Sequence, residues 1–137
     1  DLLKLFWECH DPTQGDRQGN DQGSQYRSAI YTSTSRQMEL ALASRDWYQQ
    51  ALTQAERDSI TTEIAADRTF HFAETYHQQY LARPGSRPYC SAMPTGISLG
   101  AFEGCDYRLP PQVWSHYDWS ISHCVLRGDN SPIQLQA

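Results

Sequence analysis

Phe6-Trp7-Glu8-Cys9-His10-Asp11-Pro12-Thr13-Gln14-Gly15, continued by Arg17-Gln18-Gly19-Asn20-Asp21-Gln22-Gly23-Ser24-Gln25-Tyr26-Arg27-Ser28, reads as the end of a helix, a polar loop and a strand. Leu2, Leu3, Leu5, Phe6 and Trp7 form an apolar helical stripe. Pro12 ends it, because the residue before a proline avoids the helical region. The loop from about His10 to Gln25 holds Asp11, Gln14, Asn20 and Asp21 among Gln–Gly steps. So many directed hydrogen-bonding groups are more than a connection needs. Tyr26 to Tyr31 is expected to be a strand, with Tyr26, Ser28 and Ile30 on one face.

Outward from that stretch, Thr34 and Gln37 have capping-box spacing and open a helix to about Gln54. Its inner stripe is Met38, Ala41, Leu42, Tyr48 and Leu52. Ile60, Thr62 and Ile64 alternate as a second strand. Phe70 to Phe72 is an extended piece, and Ala73 to Leu81 a short helix stopped by Pro84 and Gly85. The order α, β, α, β, α favours a mixed α/β layer. Beyond Pro84, prolines and glycines recur between large anchors such as Phe102 and Trp114. The expectation is an irregular tail that wraps over the domain, giving residues 1–88 as core and 89–137 as a cysteine-containing tail.

The bulk figures narrow the function. A chain of 137 residues is one domain's worth, and 39% hydrophobic residues suffice for a core. A net charge of −5 disfavours broad nucleic-acid binding, which rests on clustered Lys and Arg. There is no run of about 18 apolar residues to span a membrane. The first residue is Asp1 rather than Met, which suggests a processed product or a fragment. Cys9, Cys90, Cys105 and Cys124 form no Cys-x-x-Cys pair, so a structural zinc is not expected. Three of the four lie after residue 89, an arrangement that suits exchangeable thiols. His71, Glu74 and His77 recur at three-residue spacing, but a helical metal site of that kind needs two copies. No metal is assigned to them.

The polar-loop stretch closely resembles a signature of the peptide methionine-S-sulfoxide reductases of the A type. The block Phe72-Ala73-Glu74-Thr75-Tyr76-His77-Gln78-Gln79-Tyr80-Leu81 resembles a second one near that family's C-terminus. The resemblance runs nearly continuously from about residue 2 to 99. It implies an α/β (α+β) fold, a two-layer, ferredoxin-like sandwich around a mixed sheet with a long irregular C-terminal tail. It implies reduction of methionine S-sulfoxide, free or in proteins. In that chemistry a nucleophilic Cys becomes a sulfenic acid, a resolving Cys forms a disulfide and thioredoxin restores the thiols.

Residue by residue, the resemblance gives Asp21 and Tyr26 the task of binding and polarising the sulfoxide oxygen. Glu74, His77 and Gln78 would orient the active-site loop by hydrogen bonds. Cys90 follows Tyr89 as the family's resolving thiol does, with Cys124, or else Cys105, as a second tail thiol. The usual Thr-Gly-Val-Ser-Cys continuation is here Thr95-Gly96-Ile97-Ser98-Leu99. The nucleophile's Gly-Cys-Phe-Trp motif does not occur in the 137 residues. Cys9 follows Phe6-Trp7 in the wrong order and at a helix C-terminus, where the dipole would raise its pKa rather than lower it. No metal or organic cofactor is implied. The implied partners are the sulfoxide and a thioredoxin-like reductant, for a monomer in a reducing intracellular compartment. From the residues alone other readings stay open: Asp21 as a turn-shaping residue, Tyr26 as a strand aromatic, and the whole chain as a non-catalytic methionine-binding or redox-sensitive variant or an inactive fragment.

Overall fold

A computed structural model describes residues 1–78, 80, 83–85, 90–102, 104, 105 and 108–116. The apolar stripe forms α1 (Leu2–Glu8). Its Trp7 is fully buried and packs on Tyr48 with ring centroids 5.7 Å apart. The indole nitrogen needs a partner once buried, and it donates to Ser44 Oγ at 2.9 Å. After α1 the chain forms a small antiparallel hairpin, β1 (Arg17–Gln18) and β2 (Asp21–Gln22), within the stretch expected as loop.

The strand expected from Tyr26 begins later. Ser24–Tyr26 is a 3₁₀ turn and β3 spans Ala29–Thr32. The turn follows from Gly23 (φ +134°), which redirects the backbone so that Tyr26 N–H reaches the Gly23 carbonyl at 3.0 Å. Helix α2 (Ser35–Gln54) starts where the capping residues set it. Thr34 Oγ1 accepts from Gln37 N–H at 3.1 Å, and the Gln37 side chain accepts from Ser33 N–H at 2.8 Å. At its other end Glu56 adopts φ +56°, and the N–H groups of Glu56 and Arg57 close on the carbonyls of Thr53 and Leu52. That is the left-handed helix stop that glycine usually provides.

The second strand also starts later than its alternation suggested. It is β4 (Glu63–Ala66), parallel to β3 with Ile30 opposite Ile64. Ile60 and Thr62 precede it because Ile60 packs into the core and Thr62 turns its hydroxyl onto Ser28. Helix α2 crosses between the two parallel strands and packs against both, as a β-α-β unit requires. The fold is a mixed α/β layer with small parallel and antiparallel sheets.

The core is Trp7, Tyr48, Leu52 and Leu99, with Phe6, Ile30, Ile60, Ile97 and Phe102 packed around it. The tail therefore lies on the helices. Tyr48 OH bonds Thr95 Oγ1 at 2.8 Å and the Ile97 carbonyl at 3.0 Å, while the Glu8 carboxylate accepts from Ser98 Oγ and Leu99 N–H. Burial would raise the Glu8 pKa, but the bonds from Lys4, Leu99 and Ser98 hold it below the ordinary carboxylate value.

The helix expected over Ala73–Leu81 is not what residues 73–78 form. Ala73 and Glu74 are irregular, and Thr75–Gln78 is a turn. Phe70, Phe72 and Tyr76 around it are 76%, 84% and 62% exposed, so no buried face offsets the cost of nucleating a helix. A four-residue helix, α3 (Pro111–Trp114), opens on a proline at its first position. Among the described residues no helix is long and apolar enough to cross a membrane.

Candidate functional site

The polar loop is built around Asp11. Its carboxylate accepts from Thr13 N–H at 3.0 Å, Thr13 Oγ1 at 2.7 Å and Gln14 Nε2 at 3.2 Å. Burial would raise this carboxyl. The Thr13 and Gln14 bonds, with the charge of Arg57, overcome that and keep its pKa below the ordinary value. Gln14 Oε1 then accepts from Gly19 N–H at 2.7 Å. The Gln18 amide donates to the Asp11 carbonyl at 2.9 Å and accepts from Asp11 N–H at 3.2 Å. From the far side Thr61 donates its N–H to the Pro12 carbonyl at 2.8 Å and accepts from Gly15 N–H at 2.9 Å. The Gln14 and Gln18 amides thus fix the loop's backbone, which holds the hairpin that carries Asp21.

Below the loop, His10 links α1 to the residues that lead into both parallel strands. Its Nδ1 lies 2.7 Å from the Phe6 carbonyl and its Nε2 2.7 Å from Ser28 Oγ, which is 2.8 Å from Thr62 Oγ1. A carbonyl only accepts, so Nδ1 carries a hydrogen and the neutral ring accepts at Nε2 from Ser28. Burial favours that neutral form and lowers the pKa, against the opposing pull of the Phe6 carbonyl and Asp11. This relay joins residues 10, 28 and 62, and their spacing gave no sign of it.

Asp21 is half-buried in β2. Its carboxylate accepts a hydrogen bond from the Ser91 hydroxyl. The tail is held there twice more. Met93 N–H donates to Gln18 Oε1 at 3.0 Å. The Ser91 carbonyl lies so close over Gly19 (φ +58°) that a β-carbon on Gly19 would sit 2.3 Å from it. Cys90, the residue before Ser91, is disulfide-bonded. Cys9 and Cys105 are free thiols, which removes Cys105 from the two partners considered for Cys90; Cys124 lies outside the described residues.

Tyr26 ends the 3₁₀ turn that follows β2 and is 43% exposed. Its hydroxyl has no hydrogen-bond partner among the described residues. Asp21 and Tyr26 thus share one hairpin-and-turn unit, and the Asp21 carboxylate is bonded to the tail rather than to Tyr26. Glu74, His77 and Gln78 are exposed. Their hydrogen bonds stay within their own turn, as when Gln78 Nε2 donates to the Ala73 carbonyl at 2.8 Å, and none reaches the polar loop among the described residues. Cys9 donates its thiol to the Phe6 carbonyl at 3.4 Å, and burial raises its pKa. Among the described residues no group of three His, Cys, Asp or Glu is placed to hold a metal ion. A half-buried carboxylate and an available phenol therefore share one hairpin-and-turn unit, and the residue bonded to the carboxylate follows a disulfide-bonded cysteine in the tail. Such a set can polarise a small dipole and exchange thiols beside it.

Residues 1–99 match the family model for peptide methionine sulfoxide reductase. The chain is 54% identical over 98 residues to the mitochondrial peptide methionine sulfoxide reductase of Homo sapiens, covering 72% of this chain and 41% of that one. It is 59% identical over 99 residues to the peptide methionine sulfoxide reductase MsrA of Ectopseudomonas mendocina, with 72% and 44% covered. The chain spans less than half the length of these curated relatives. Among solved structures it is similar to Mxr1 of Saccharomyces cerevisiae in reduced form, with a TM-score of 0.55 and 29% identity over 66% of this chain and 47% of that one.

Proposed function

Because the chain belongs to the peptide methionine sulfoxide reductase family, we propose that its hairpin is the oxygen-binding part of a site for methionine S-sulfoxide, free or in proteins. Asp21 and Tyr26 bind and polarise the sulfoxide oxygen. Cys90 is the resolving thiol, with Cys124 as a second tail thiol and a thioredoxin-like dithiol as reductant. The observation that carries this reading is the bond from Ser91 to Asp21, which sets the Cys90 segment directly against the carboxylate.

Reduction of a sulfoxide needs a thiolate at sulfur and protons at the departing oxygen. The hairpin supplies groups for the oxygen only. The nucleophile's motif is absent from these 137 residues, so the chain by itself binds the sulfoxide and does not turn it over. Whole-protein repair of oxidised methionine is the activity this part would serve. The test is binding. A methionine S-sulfoxide peptide titrated into the dithiothreitol-reduced chain should shift NMR signals of residues 17–27 and 91–93, and do so more than the R epimer. Shifts elsewhere, or equal shifts with both epimers, would overturn the assignment.

A second reading, a non-catalytic redox-sensitive variant, rests on the Cys90 disulfide. It predicts the same thiol exchange with no binding of the sulfoxide.

A further inference from the structure

Tyr26 has nothing at its outer end to fix it. Its side chain is exposed and its hydroxyl has no hydrogen-bond partner among the described residues. The direction of the phenol therefore follows from the backbone of the turn Ser24–Tyr26. That turn opens on Gly23, the residue type with the most backbone freedom. A free phenol on a glycine-led turn needs a second restraint to point one way.

Arg27 supplies that restraint. Its Nη1 donates to the Ser24 carbonyl at 2.7 Å, the one bond from a side chain to this turn's backbone among the described residues. The same guanidinium donates from Nε to Glu63 Oε2 at 3.1 Å and from Nη2 to the Tyr31 hydroxyl at 3.3 Å. The Tyr31 hydroxyl donates in turn to Glu63 Oε2 at 3.0 Å. Strand alternation explains the meeting. Arg27 is already extended, so residues 27, 29 and 31 share one side of the chain, opposite the core residue Ile30. Ala29 lies opposite Glu63 in the parallel register, which brings the carboxylate to that same side. The bonds from Arg27 and Tyr31 hold the Glu63 carboxyl below the ordinary carboxylate range, so it stays an anion at neutral pH. One planar fork ties the turn to both parallel strands.

We infer that Arg27 is a positioning residue for Tyr26: by holding the Ser24 carbonyl to Glu63 and Tyr31 it fixes the turn, and with it the direction in which the phenol meets the sulfoxide oxygen. The inference rests on the proposed function for what the phenol binds; the fixing of the turn is a property of Arg27 and the sheet. Arg27 acts through Tyr26 rather than on substrate, since all three of its nitrogens are bonded to protein acceptors.

The fork matters here more than the charge. A lysine keeps the positive charge beside Glu63, but an ammonium is a single point and does not span three acceptors in one plane. Attraction of substrate by charge would survive Arg27→Lys, whereas positioning would not.

The experiment uses the full chain, reduced with dithiothreitol, and a methionine S-sulfoxide peptide titrated by NMR. Arg27→Lys should weaken binding about three- to tenfold, the range for loss of one hydrogen bond. In the Tyr26→Phe background the same change should weaken it by less than about twofold, because the hydroxyl it aims is gone. Arg68→Gln is the control. Arg68 also pairs with Glu63, at 3.5 Å, and makes no bond to the turn among the described residues. Its loss should leave the affinity within about twofold. The couplings between Hα and Hβ of Tyr26 give a reading without substrate: a single rotamer in wild type and Arg68→Gln, and averaged values in Arg27→Lys.

Unchanged affinity in Arg27→Lys, or a loss that persists undiminished in the Tyr26→Phe background, overturns the inference. Equal couplings in all three proteins overturn it as well. If wild type does not bind the peptide, the proposed function falls, and the couplings decide alone: averaging confined to Arg27→Lys upholds the positioning of Tyr26.

Discussion

The Trp7 indole nitrogen donates to Ser44 Oγ at 2.9 Å, and the same Ser44 hydroxyl donates to the Ala41 carbonyl at 2.8 Å. Both side chains are fully buried. One serine thus fixes α1 on α2 and with it the start of the polar loop. Ser44→Ala leaves the indole N–H with no partner and no water, which costs about 1–3 kcal/mol. Urea unfolding followed by tryptophan fluorescence should show that loss. An unchanged midpoint would mean that the two helices are held by packing alone.

Glu56 closes α2 in a left-handed conformation (φ +56°). A β-carbon is penalised there and glycine is not. Glu56→Gly should therefore raise stability by about 0.5–1 kcal/mol, the left-handed penalty less the entropy that glycine adds to the unfolded chain. The readout is a higher denaturation midpoint at constant slope. A lower midpoint would show that the Glu56 side chain contributes something its exposed position does not suggest.

His10 makes stability depend on pH in one direction. Its folded pKa lies below the ordinary imidazole value of 6.5 because burial favours the neutral ring. Above that value both states are neutral and the full stability is present. As pH falls through it, the unfolded chain takes a proton that the folded chain refuses, so stability falls until His10 protonates in place. The loss should begin near pH 6.5 and precede the acid loss from Asp11 and Glu8, whose depressed pKa values act below the ordinary carboxylate range. His10→Gln should be less stable at pH 7.5 and flatter between pH 7.5 and 5.5. Parallel pH profiles for the two proteins would contradict the burial argument.

How far the sequence alone led can be judged at individual residues. Thr34 and Gln37 marked the start of α2 because capping is local chemistry, complete within four residues. Ala41, Tyr48 and Leu52 were legible as core because a helix repeats its buried face. Tyr26 alternates with Ser28 and Ile30 as a strand would, yet it ends a 3₁₀ turn, because nothing in the alternation reveals the turn made by Gly23. The Ala73–Leu81 pattern suggested a helix, but a pattern predicts one only where a face is buried, and there the aromatic residues are exposed. At the candidate site, Asp21 and Tyr26 are pointed to by the family resemblance alone. Ser91, Gln18 and the link from His10 to Ser28 and Thr62 are not pointed to at all. Their partners are up to 75 residues apart, and pairings across such distances leave no trace in local spacing.

Tyr26→Phe removes a hydroxyl that has no partner among the described residues, on a side chain that is 43% exposed. Stability should change by less than about 0.5 kcal/mol, as at ordinary surface positions. Affinity for a methionine S-sulfoxide peptide should fall by about three- to tenfold, if the phenol donates to the sulfoxide oxygen as proposed. Denaturation and peptide titration on the same sample separate the two effects. A large loss of stability with unchanged binding would make Tyr26 a structural residue.

The chain on its own should show little or no turnover of methionine S-sulfoxide with dithiothreitol. A carboxylate and a phenol cannot replace an attacking thiolate. Cys9 is the free thiol nearest the polar loop in sequence, and it is poorly suited to that task. Burial raises its pKa, its thiol donates to the Phe6 carbonyl, and it caps the C-terminal end of α1, where the helix dipole opposes negative charge. Timed alkylation of the reduced protein should therefore label Cys90 well before Cys9. Turnover at a rate typical of complete enzymes would overturn this expectation. If Cys9→Ser then abolished that turnover, the buried sulfur at the end of α1 would be the attacking group.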